Sequence, residues 1–168
     1  MKKSTTNWFE TISTPGLFKH FNRYSHLFSR HMSDISDSDL KARLRKIQSG
    51  PNELIIYSRF HASEDEVIGL VLECIGENLE VIDRFADDNA KADVTICKDY
   101  EISIGEGYVK NTSWDQKFQM NRLEVVITKT ESVRNPFAVK TAYPAFTTDQ
   151  SDDGWDAIDA WIASRIRP

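Results

Sequence analysis

The chain predicts an α+β fold in which N-terminal helices pack on an antiparallel sheet. Two observations carry that expectation. Apolar residues recur at helical spacing early in the chain, whereas the later part breaks into short β-branched and aromatic runs. Pro, Gly and Asn punctuators separate these runs, as in Ser13-Thr14-Pro15-Gly16, Gly50-Pro51 and Asn135-Pro136.

Residues 1–16 close on the first of these turns and read as an N-terminal linker. From Leu17 to about Met32, Leu17, Phe21, Tyr24 and Phe28 recur three or four residues apart and form one apolar stripe of a helix. At about 100° per residue, His31 falls on that stripe and His26 on the far side. Ser36 or Asp37 caps a second helix that runs to about Ser49, with Leu40, Leu44 and Ile47 inward. Arg43 lies closest to that buried face and needs a carboxylate or a bound anion there.

Leu54 to Phe60 reads as a strand. Ser63 and Glu66 make a capping box for a helix that reaches Cys74 or Ile75, where Gly76 breaks it. A shorter helix follows from Leu79 to Ala86. Val94–Cys97, Ile102–Ile104 and Tyr108-Val109 are short strand candidates, and Gly105-Glu106-Gly107 suits a turn or bulge. Leu123–Thr128 and Phe137–Tyr143 are the best strands. A two-residue period puts Phe137, Val139, Thr141 and Tyr143 on one face. Trp155, Ile158, Ile162 and Ile166 then mark an amphipathic C-terminal helix in an acidic extension, residues 145–168.

The whole suits one domain over residues 17–144 with two appendages. Of 168 residues, 40% are hydrophobic and 28% charged, which fits a globular protein. No apolar run nears the roughly 18 residues that cross a bilayer, and Ser4-Thr5-Thr6-Asn7 offers no secretory h-region. Cys74 and Cys97 suit two buried free thiols in a reducing cytoplasm. No Cys/His spacing suggests a metal, and no cofactor motif is present. The net charge of −5 is unlike that of a general nucleic-acid binder. Its distribution is uneven: residues 17–46 hold seven Lys/Arg against three Asp, plus three histidines. A locally positive site on an acidic protein follows.

Three strings supply chemistry: Ser25-His26 with His31, Arg43-Leu44, and Thr141-Ala142-Tyr143-Pro144. An imidazole, a guanidinium and two hydroxyls suit metal-independent phosphoryl transfer by acid/base catalysis and charge stabilisation. His31 is the acid/base candidate, because imidazole alone titrates near neutrality unperturbed. Arg43 would hold the phosphate, Thr141 a phosphate oxygen or a base edge. Tyr143 would orient the nucleophile, stack on a base or donate a proton. His26 and Lys140 are further candidates for substrate binding. The plainer alternatives are a core histidine, an Arg43 ion pair to Glu64, Asp65 or Glu66, and ordinary strand residues at positions 141 and 143.

With Ser58-Arg59-Phe60 added, the set resembles the bacterial RNase A-like toxin domain at the C-termini of contact-dependent growth inhibition proteins and related polymorphic toxins. The resemblance spans roughly residues 24–144. Two departures stand out: Ser25 replaces a Gly before His26, and the stretch from His31 to Arg43 is one residue longer than is usual in that family. It implies the barnase/EndoU/colicin/RelE-like nuclease fold and a metal-independent endoribonuclease acting on RNA, tRNA the expected one, with no DNA. It also implies a cognate immunity protein, action in a target bacterium's cytoplasm, and His31, Arg43, Thr141 and Tyr143 as catalytic. A non-catalytic protein-binding relative and an RNA binder that does not cut are the alternatives.

Overall fold

Two serines show how local chemistry starts the helices. Ser36 Oγ accepts the Asp39 N–H at 3.1 Å, and Glu66 accepts the Ser63 backbone N–H at 2.8 Å, completing the expected capping box. The computed structural model describes residues 3–47, 55–110 and 117–146. Its helices are α1 (Lys3–Ile12), α2 (Pro15–Phe21), α3 (His26–Arg30), α4 (Asp37–Lys46), α5 (Glu64–Glu77) and α6 (Leu79–Asp87). Its strands are β1 (Ile56–Phe60), β2 (Asp93–Asp99), β3 (Gly105–Val109), β4 (Phe118–Met120), β5 (Arg122–Lys129) and β6 (Phe137–Ala145). They form two antiparallel sheets, ordered β1-β3-β4 and β2-β5-β6. The expected α+β architecture stands. The C-terminal helix expected within 145–168, the helix stop at Gly50-Pro51 and the strand start at Leu54 lie outside the described residues.

The main core lies between the helices and the β2-β5-β6 sheet. Val67, Ile68, Val71 and Ile75 of α5 meet Leu123, Val125 and Ile127 of β5 and Val139 and Ala142 of β6. The segment expected as a linker joins this core. Trp8 and Ile12 of α1 are buried, and the Trp8 ring packs edge-on against Phe137 at 5.3 Å. Nor does Gly76 end α5: a side chain there would meet the Phe9 ring at 3.1 Å, so the glycine admits α1 instead.

The predicted Leu17–Met32 helix is two helices. Leu17 is 46% and Tyr24 84% exposed, while Phe18 and Leu27 are buried, so the expected stripe is not the buried one. Asn22 breaks it: its Nδ2 donates to the Phe18 carbonyl at 2.8 Å, its Oδ1 accepts the Val139 N–H at 2.7 Å, and Ser25 restarts the helix by accepting the Leu27 N–H at 3.2 Å. A second difference lies opposite. The β5–β6 register shifts between Val126 and Ile127, leaving Lys140 as the extra residue of a bulge. Phe137, Val139 and Ala142 therefore face the core, while Thr141 and Tyr143 face the other way, not with Phe137 and Val139 as expected. The two differences are one feature, since Ser25 Oγ donates to the bulged Lys140 carbonyl at 3.2 Å.

Ile102–Ile104 is a loop rather than a strand, and Gly105-Glu106-Gly107 lies within β3 rather than forming a turn. A Cβ on Gly107 would sit 2.3 Å from the Tyr57 carbonyl oxygen, and one on Gly105 would sit 2.3 Å from Pro144 Cγ. Glycine at both positions lets β3 press β1 against the end of β6. Arg59 of β1 bonds Asp37 of α4 at 2.7 Å and Glu106 of β3 at 2.6 Å, fixing α4 to this sheet.

Candidate active site

His31 ends α3 as its C-cap and is held by β1 at two points. The Phe60 N–H donates to its carbonyl at 2.8 Å, and its ring Nδ1 lies 2.7 Å from the Ser58 carbonyl oxygen. A carbonyl only accepts, so Nδ1 carries the hydrogen and Nε2 of the neutral ring keeps its lone pair. His31 is 8% exposed, and burial, outweighing that hydrogen bond and joined by the nearby Arg43 and Arg30 charges, lowers its pKa to about 4. At neutral pH it is an uncharged base. Ser58 is itself fully buried, and its Oγ donates to the Pro144 carbonyl at 2.6 Å, tying β1 to the end of β6.

That tie sets Tyr143 beside the imidazole, with ring centroids 5.5 Å apart, and Tyr57 stacks on the same imidazole at 6.0 Å. The Tyr143 hydroxyl donates to Glu124 Oε2 at 2.7 Å, across a directly paired position of β5. Burial first, then the Glu124 charge, pushes the phenol's pKa well up, so it stays protonated. Its one hydrogen is engaged, and its oxygen lone pairs remain as acceptors. Thr141, two residues back on the same face, has a shielded Oγ1 with no hydrogen-bond partner among the described residues.

A concavity of about 240 Å³ joins these groups, lined by His26, Arg30, His31, Ile56, Tyr57, Thr141 and Tyr143. Three of the four catalytic candidates therefore meet in one place. Arg43 does not line the concavity. Its guanidinium donates to the Arg30 and Ser29 carbonyls at 3.0 and 3.3 Å and lies 5.8 Å from the Tyr57 ring centroid. The alternative ion pair to Glu64, Asp65 or Glu66 is replaced by this grip on the end of α3. His26, expected on the far side of a long helix, lines the concavity because the break at Asn22 reorients α3. Lys140 is not a lining residue; its ammonium ion-pairs with Asp93 at 2.5 Å.

Sequence reading missed Arg30, Tyr57, Ser58 and Glu124 as members of the site. Arg30 was open to notice, one residue before His31 and four after His26. Glu124 was not, because only strand pairing brings it to Tyr143. The two cysteines stay apart from this chemistry: Cys74 is buried, its thiol pKa pushed up to about 12 by burial, and Cys97 is half-buried.

The profile of the Bacterial CdiA-CT RNAse A domain family matches residues 25–144. The chain belongs to that family. It is thereby a ribonuclease toxin domain of the CdiA-CT type, and the matched span begins at the α3 N-cap and ends at Pro144, enclosing every residue that lines the concavity. Among solved structures it is similar to a chain of the CdiA-CT/CdiI complex from Y. kristensenii 33638, with a TM-score of 0.59 and 18% identity over 72% of this chain and 99% of that one. At that identity the likeness is one of fold. No curated protein matches the chain.

Proposed function

We propose that this CdiA-CT RNAse A domain is an endoribonuclease that cleaves RNA, tRNA foremost, without a metal ion. The ribose 2′-oxygen attacks the adjacent phosphorus and gives up its proton to His31 Nε2. The 5′-oxygen leaves with a proton taken up at the solvent-facing mouth, so the products are a 2′,3′-cyclic phosphate and a 5′-hydroxyl. DNA lacks that nucleophile and is not cut. The observation that carries this reading is the neutral imidazole held by Ser58 in a concavity that it shares with Thr141 and Tyr143.

Arg43, held outside the concavity on the Arg30 and Ser29 carbonyls, contributes its positive charge to the phosphate through space, as it does to His31. Thr141 Oγ1 donates to a phosphate oxygen. Tyr143, its O–H donated to Glu124, accepts from the nucleotide through its free lone pairs and orients it. A volume of about 240 Å³ is below the roughly 300–1,000 Å³ of drug-sized ligand sites, so phosphate and sugar enter while bases lie outside. A cognate immunity protein is the expected partner, since the similar fold was solved as a CdiA-CT/CdiI complex, and a target cell's cytoplasm is the expected place of action.

Incubating the purified protein with total tRNA and EDTA tests this. Chelator-resistant cleavage that leaves cyclic phosphate ends and vanishes in His31→Ala is the expected result. Intact RNA with a retarded band would make the protein an RNA binder, and cleavage that EDTA stops would overturn the metal-free chemistry.

A further inference from the structure

The concavity contains two kinds of polar group. His31 and Tyr143 are hydrogen-bonded to Ser58 and Glu124. The side chains of His26 and Arg30 have no hydrogen-bond or ion-pair partner among the described residues, and both are exposed. They stand four residues apart in α3, the spacing that places two side chains on one helix face. Among the described residues no carboxylate lines the concavity, Glu124 being engaged by the Tyr143 hydroxyl, although the protein as a whole carries a net charge of −5. Burial, Arg30 and Lys140 lower the pKa of His26, and Arg30 also lowers that of His31, so the groups here repel protons and attract anions. Leaving a five-donor guanidinium unpaired beside two imidazoles gains nothing unless an anion arrives.

The scissile phosphate must lie at the buried end, within reach of His31 and Tyr143. The space there holds little more than one phosphate and its sugar, so an adjoining nucleotide leaves through the mouth, past α3. We propose that Arg30 and His26 form a second anionic subsite, which holds the RNA phosphate next to the one that is cleaved. This assignment rests on the ribonuclease reading and deepens it: the preferred substrate spans at least two phosphates, and Arg30 contributes to binding rather than to the chemical step.

The test uses oligodeoxyuridylates of two and three nucleotides, with one and two internal phosphates and no 2′-hydroxyl to react. Binding is followed through the imidazole NMR signals of the intact protein. The wild type should bind the longer probe about tenfold more tightly, the gain expected for one charge-assisted phosphate contact. Arg30→Ala should remove that gain and weaken the shorter probe far less than the longer one, while Arg30→Lys should keep part of the gain. The slope of log affinity against log salt for the longer probe should fall by about 0.7 in Arg30→Ala. A wild type that binds both probes equally, or an Arg30→Ala variant that keeps the gain or weakens both probes alike, overturns the second subsite alone. A wild type that binds neither probe, with native imidazole signals, overturns the anion site and the ribonuclease reading with it.

Discussion

The buried end of the concavity and its mouth are built on opposite principles. At the buried end the imidazole and the phenol are both held: Ser58 fixes His31, Glu124 fixes Tyr143, and Ser58 in turn bonds Pro144. At the mouth, His26 and Arg30 are exposed and have no such partners among the described residues. Groups that react must be oriented beforehand, because a misplaced base loses rate steeply. Groups that gather substrate lose little by staying hydrated until it arrives. Substitutions at the buried end should therefore alter rate and stability together, and those at the mouth should alter affinity alone.

The largest expected effect is at His31. His31→Ala should lower tRNA cleavage by about 10²–10⁴-fold, the usual contribution of a general base. It also leaves the buried Ser58 carbonyl unpaired, so urea unfolding should show a loss of about 1–3 kcal/mol. A variant with unchanged cleavage would move the base elsewhere.

Acid should reproduce part of that loss without mutation. The His31 pKa is about 4 in the folded protein against a usual 6.5, so between those values the unfolded chain binds more protons. Stability then falls as pH falls: the contribution is complete above about 6.5 and is lost on the way down to about 4. At about 1.4 kcal/mol per pKa unit, the contribution is about 3–4 kcal/mol. His31→Gln should flatten the slope of unfolding free energy between pH 4 and 6.5. Equal slopes in the two proteins would place the titrating group elsewhere.

Tyr143→Phe removes the acceptor and leaves the Glu124 carboxylate without its donor; kcat should fall about 10–100-fold. Glu124→Gln should do less, and the double variant should lose less than the sum of the two, since both disturb one bond. Additive losses would mean that the pair is not coupled. Ser58→Ala is milder still. It keeps the backbone carbonyl that orients His31 but breaks the bond to Pro144, costing about 1–3 kcal/mol in thermal or urea unfolding. Activity at low temperature should stay within a few-fold of wild type, which separates holding the strands together from holding the imidazole.

The parts legible in the sequence were those set by near neighbours. The Ser63–Glu66 box, the Ser36 cap and the span of β6 follow from residues within a few positions of one another. The site candidates His31, Thr141 and Tyr143 were likewise named from their own strings, and they do meet. What could not be read depended on distant partners. The break in the first predicted helix and the bulge at Lys140 are two sides of one contact, in which Asn22 takes the Val139 N–H and Ser25 the Lys140 carbonyl. Periodicity within either segment has no access to a bond made more than a hundred residues away. Arg43 shows the same limit: its position near a buried face was readable, but its grip on the carbonyls of α3 was not.

The sequence by itself determined the α+β class, the caps that start α4 and α5, the strands that dominate the later part and the chemical groups available for catalysis. Only the tertiary structure decided which of those groups share a concavity, that the one hydroxyl hydrogen of Tyr143 is taken up by Glu124, and which nitrogen of His31 is free. The reason is physical. Backbone periodicity and capping are short-range and are written in adjacent residues, whereas a tautomer, a bulge or an unpaired guanidinium depends on what the rest of the chain brings alongside.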